Sequence, residues 1–205
     1  MSALLDLGII KNKTQASELF ESFLGVRSFE DVEYELPHEY VLKYWNEYLK
    51  SERPTLGGNI FELIISTLLY RENLLPLYLQ AQVAFVPNVH FDALLYNREF
   101  GPVSLSMKTS LRERYKQADL EAIALKYVHR KAKCYLLTME EREGASVKNK
   151  IKTGDVIGLD EVIICSTSDI DDMISNLKQM EFTEAGTVEI IKSWNKVTKA
   201  EDEKN

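Results

Sequence analysis

The sequence predicts an α/β fold with a mixed central sheet and extra helices at its N-terminal end. Three observations carry that prediction. Two apolar runs, "VHFDALLY" (89–96) and "PVSLSMKTS" (102–110), are joined by the turn-like "NREFG" and read as a hairpin. A helical pattern over about 112–129 separates that hairpin from another strand-like run, "AKCYLLTM" (132–139), which permits a parallel crossover and so a mixed sheet. The first fifty residues carry helical periodicity only.

Taken in order, "TQASELFESFLG" starts on a helix-capping Thr, spaces Ala16, Leu19, Phe20 and Phe23 on one face, and stops at Gly25. "HEYVLKYWNEYLK" lines up Tyr40, Val41, Tyr44, Trp45 and Tyr48, expected to be core or a dimer face. "SERPTLGG" is the best break in the chain. After it, "NIFELIISTLLYREN" is an apolar helix expected to be buried, and "LYLQAQVAFV" a strand. Residues 140–155, "EEREGASVKNKIKTGD", read as a polar loop or short helix, with the mobile loop favoured. "EVIICST" reads as a strand and "DIDDMISNLKQM" as a helix. The expected organisation is an N-terminal helical region (1–53), an α/β domain (54–198) and a disordered tail, "KAEDEKN" (199–205).

An apolar fraction of 45% with 28% charged residues suits a folded, soluble chain. No apolar run approaches the roughly 18 residues a membrane-spanning helix needs, and the N-terminus lacks the features of a signal peptide. Cys134 and Cys165 each lie in apolar runs and read as reduced core residues of a cytoplasmic protein. Three scattered histidines argue against a histidine metal site. The net charge is −7, but it is unevenly placed. Between 104 and 133, eight basic residues, among them Arg112, Arg114 and Lys116, face three acids, a local excess that can neutralise a phosphate backbone.

The chemistry is concentrated in the hairpin. Val103, Leu105 and Met107 alternate with Ser104, Ser106 and Lys108, so Ser106 and Lys108 point the same way. Asp92 lies in the preceding strand, about 5 Å away in a paired sheet. Hydrolysis of a phosphodiester with Mg²⁺ needs carboxylates to hold the ion, and a lysine nearby can orient the attacking water and stabilise developing charge.

Helix-borne Glu62, then Asp92, then "SMK" at 106–108 before a helix resembles the PD-(D/E)xK nuclease superfamily over roughly residues 58–138. The resemblance implies a restriction-endonuclease-like αβββαβ core. Asp92 takes the place of the metal-bridging aspartate and Lys108 that of the lysine; "HFD" lacks the preceding proline. Ser106 stands where the second acid belongs. One branch of type II restriction endonucleases, recognising CCGG-like sites, similarly shows S-x-K and supplies the missing acid from the following helix.

Here Glu121 is the choice, because it borders the stripe formed by Leu111, Tyr115, Ala118, Ala122 and Leu125. Asp119, on the other flank, is the fallback. Gln117 and Arg114 share the flank of Glu121 and could meet a scissile phosphate. Lys148 and Lys150, in the 140–155 segment, could touch DNA. The resemblance implies a Mg²⁺-dependent site-specific endonuclease on double-stranded DNA, acting as a homodimer. Asp92 and Glu121 would bind the ion, Lys108 would serve the water and Glu62 would assist, with Ser106 lining the site. A repair or phage-defence nuclease, and a catalytically inactive binding domain, are the alternatives.

Overall fold

The computed structural model describes residues 2–25, 27–186, 191–193 and 195–198. The tail expected at 199–205 lies outside them. Local sequence sets the N-terminal helices. After a short α1 (Ala3–Asp6), Thr14 accepts the Ser17 N–H at 3.1 Å to start α2 (Gln15–Leu24). Glu39 reaches back to the Glu35 and Leu36 N–H groups, and Pro37 opens α3 (Pro37–Lys50). Tyr40, Tyr44 and Tyr48 are buried, so the aromatic face is core.

The "SERPTLGG" break holds one 3₁₀ turn, and α4 (Gly57–Arg71) follows. A Cβ on Gly57 would stand 2.8 Å from the Tyr48 hydroxyl, so the close approach of α3 and α4 requires glycine there. Ile60, Phe61, Ile64, Ile65 and Leu68 of α4 are fully buried, because this helix lies between the other N-terminal helices and the sheet.

The sheet orders its strands as Glu161–Ile164, Lys133–Thr138, Gly101–Met107, Phe91–Asn97, Leu77–Val83 and Ile191–Lys192, with Asn195–Val197 also paired to Leu77–Val83. Strands β1 (Leu77–Val83), β2 (Phe91–Asn97) and β3 (Gly101–Met107) form an antiparallel meander. Helix α5 (Arg114–Val128) then crosses to β4 (Lys133–Thr138), which pairs parallel with β3. Helix α6 (Glu141–Thr153) leads to β5 (Glu161–Ile164), parallel to β4, and α7 (Ser168–Lys178) follows. The mixed sheet with helices at its N-terminal end is as the sequence predicts.

Two apolar layers cover the sheet. One joins α1–α4 and α7 to Leu79, Ala93, Val103, Leu105 and Met107; the other joins α5 and α6 to Tyr78, Phe91, Leu94 and Leu136. Cys134 and Cys165 are both buried and free. Two expectations are corrected. Residues 141–153 form a thirteen-residue helix and not a loop, ended by Gly154 in the left-handed region (φ +82°). The strands β6 (Ile191–Lys192) and β7 (Asn195–Val197) extend the sheet beyond β1, which the sequence reading did not foresee.

Candidate active site

The site forms where β2 and β3 part. Their pairing runs from Asn97↔Gly101 to Ala93↔Leu105 and then stops. Alternate N–H groups of a strand point to opposite neighbours. The Lys108 N–H reaches Leu137 of β4 at 3.0 Å, which leaves the Met107 N–H facing β2, where no ladder partner remains. The Asp92 carboxylate fills that gap. Its Oδ2 accepts the Met107 N–H at 2.7 Å and the Lys108 ammonium at 2.7 Å, with the Ser106 hydroxyl at 3.5 Å. These three contacts all use Oδ2, leaving Oδ1 outside them. Asp92 and Lys108 side chains are only 12% and 14% exposed, so the pair is held away from most solvent screening.

Two helices bring further carboxylates to this rung. Glu62 on α4 accepts the Gln80 amide at 3.0 Å. Burial, and then the Asp92 charge, push its carboxyl up to about 7, against the pull of Lys108 and the Gln80 bond. Glu121 on α5 accepts the Gln117 amide at 2.7 Å. Burial raises its pKa as well; the Gln117 bond and the Lys108 charge oppose the rise and the Asp92 charge adds to it. Both acids therefore lie within the field of the Asp92–Lys108 pair. Glu62 also borders two cavities. One, of about 430 Å³, is walled by Ile9, Leu63, Leu79, Gln80 and Asp92. The other, of about 480 Å³, is walled by Asn59, Lys108, Arg114 and Gln117. Asn59, Glu62 and Ser66 form a polar line along α4 that passes from exposed Asn59 to buried Ser66.

The remaining candidates divide. Arg114 and Gln117 line the second cavity beside Lys108. Lys116 is exposed and paired with Glu113, and Lys148 pairs with Asp169 of α7. Lys150 stands 5.7 Å from the Tyr115 ring centre. Arg112 has an exposed side chain, while its N–H and that of Leu111 are held by Glu143 of α6 at 3.2 and 2.6 Å. Asp119, the fallback acid, is committed elsewhere. Its Oδ1 accepts the Gly158 and Leu159 N–H groups at 2.6 and 3.1 Å, fixing the loop before β5 to α5. Gln80 was missed, because strand alternation sends its side chain away from α4.

Among the described residues no group of three or more His, Cys, Asp or Glu side chains is gathered for a metal ion. The available donors are the carboxylates of Asp92 and Glu121, with Glu62 near. Hard oxygen donors of this kind fit Mg²⁺, which keeps several waters and takes one or two carboxylates from its protein.

The arrangement of a meander, a helix crossover and a parallel strand defines the restriction-endonuclease fold, and a solved structure shares it. The chain is similar to restriction endonuclease PspGI, determined in complex with its substrate DNA: 18% identity, a TM-score of 0.54, and 83% of this chain and 84% of that one covered. No protein-family model and no curated protein matches the sequence. No helix among the described residues is long and apolar enough to cross a membrane.

Proposed function

We propose that this protein is a Mg²⁺-dependent endonuclease that hydrolyses phosphodiester bonds of double-stranded DNA, a site-specific type II enzyme working in the cytoplasm. The observation that carries the reading is the Asp92–Lys108 contact of 2.7 Å at the parting of β2 and β3, with Glu121 in its field. Asp92, through the oxygen left free of Lys108 and Met107, and Glu121 would hold the ion. Bound there, Mg²⁺ supplies charge against the phosphoryl oxygen and a more acidic water. Lys108 is oriented by Asp92 and faces the charge that develops on the phosphate. Arg114 and Gln117, beside Lys108 in one cavity, suit the non-bridging phosphate oxygens. Ser106 lines the floor and Glu62 assists from α4.

The PspGI structure contains substrate DNA, which supports duplex DNA as the partner here. One such site cuts one strand, so a two-fold homodimer follows for a palindromic target. Residues 1–53 would form a helical annex to the nuclease unit at 54–198.

The test is incubation of purified protein with plasmid DNA, with and without Mg²⁺, beside Lys108→Ala. Cleavage should require Mg²⁺ and fall about 10²–10³-fold in the variant; equal nicking removes Lys108 from the mechanism. Discrete fragments support site specificity, and random nicking favours a repair or defence nuclease of the same fold. Ser106 in the acid's place favours a second reading, an inactive DNA- or protein-binding domain. DNA binding without any cleavage would establish it.

A further inference from the structure

Among the described residues, Gln80 is the one non-glycine inside a strand with a left-handed backbone (φ +47°). That region disfavours side chains, and glycine or asparagine is the usual occupant. Leu79 pairs with Ala93 and Ala81 with Phe91, which sets Gln80 directly opposite Asp92. Both strands change faces at this rung. Leu79 and Ala93 pack in the layer that contains α4, whereas Ala81 and Phe91 pack in the layer that contains α5. The twist at Gln80 turns its amide onto α4, where Nε2 donates to Glu62 Oε2 at 3.0 Å. Gln80, Glu62 and Asp92 then wall a single cavity. A strained backbone kept on a residue whose side chain makes a contact that strict alternation forbids points from the outlier to a role.

We infer that Gln80 is a positioning residue, whose left-handed backbone aims its amide at Glu62 and fixes that carboxylate beside Asp92. The inference rests on the nuclease reading and goes beyond it by assigning the conformation of β1 a part in the reaction. Gln80 touches no reacting atom; it acts through Glu62. Outer partners that orient a carboxylate at an ion site typically change affinity or activity 10–100-fold when removed.

Two variants test it. Gln80→Gly keeps the left-handed backbone without its strain and deletes the amide. Gln80→Asn tolerates the same backbone but holds its amide one methylene short. Both should melt at or above the wild-type temperature, yet cleave plasmid DNA about 10–100-fold more slowly at limiting Mg²⁺ and bind Ca²⁺ more weakly by calorimetry. In a Glu62→Ala background, adding Gln80→Gly should change either readout less than about two-fold, since coupled residues are non-additive.

A Gln80→Gly variant that cleaves like wild type overturns the inference while the nuclease reading stands. So does one that loses the same factor with and without Glu62. Wild type that neither cleaves nor binds Ca²⁺ overturns both. Wild type that binds Ca²⁺ without cleaving, and is weakened by Gln80→Gly only when Glu62 is present, overturns the nuclease reading and upholds the positioning role.

Discussion

Glu62 and Glu121 reach the same Asp92–Lys108 pair from opposite layers of the molecule, and each accepts a glutamine amide. Their surroundings differ. Glu62 sits on a helix whose neighbours Ile60, Phe61, Ile64 and Ile65 are fully buried, and its amide comes from a strand packed into the sheet. Glu121 sits on the flank of a helix whose outer face is solvated, and its amide comes from exposed Gln117 one turn earlier on the same helix. The first acid is held by elements that cannot move independently of the core. The second is joined to an exposed partner on its own helix. Under the proposed nuclease reading, the difference would divide the labour: a buried carboxylate to shape the field, and a less enclosed one to meet an ion and a substrate.

The largest expected effect removes what the two acids share. Asp92→Asn should lower Mg²⁺-dependent cleavage about 10³-fold, read by single-turnover kinetics on plasmid DNA. It removes the negative charge that both acids feel and leaves Lys108 beside both, so it cannot discriminate between them.

The next pair does discriminate. Glu121→Gln should raise the Mg²⁺ concentration for half-maximal cleavage about 10–100-fold. Glu62→Gln should lower the rate at saturating Mg²⁺ about 10–100-fold while moving that midpoint less. Equal movement of the midpoint by both variants would break the comparison.

Stability sharpens it further. The folded protein holds the Glu62 proton up to about pH 7, whereas the unfolded chain releases it near 4.5. The fold therefore binds the extra proton between these values, and stability falls as pH rises through them. In metal-free protein Glu62→Gln removes that loss. Above pH 7 the variant should be more stable by roughly 3 kcal/mol, an advantage that shrinks on acidification and vanishes below about pH 4. Urea unfolding with a chelator at pH 5 and pH 8 measures it.

The smallest effect belongs to Gln117→Ala. An exposed bond between residues four apart on a helix contributes about 0.2–0.5 kcal/mol, so melting should barely move. Cleavage should change about two-fold, far less than for Gln80→Gly.

Much of this arrangement is legible in the sequence. Alternation in "PVSLSMK" put Val103, Leu105 and Met107 in one layer and Ser106 with Lys108 toward Asp92. The stripe on α5 put Glu121 and Asp119 on different flanks; the Asp119 carboxylate holds the Gly158 loop, and Glu121 feels the Asp92 and Lys108 charges. What stayed hidden depends on distant partners. Nothing local marks Gln80 as left-handed, because the groups around it, Glu62 and β2, come from elsewhere in the chain. The strands β6 and β7 are two and three residues long and take their identity from β1. Helix α6 was obscured by its polar composition, yet buried Gly144 and Val147 seat it and Gly144 packs on Ile164.

Asp92 is moored to a main-chain amide, that of Met107, as well as to the Lys108 ammonium. Ordinary substitutions at position 107 keep that donor, so the residue there can drift among apolar types without unseating the aspartate. Proline alone among the natural amino acids erases it, and one imino acid at 107 would disarm the hairpin while every acidic and basic group stayed in place.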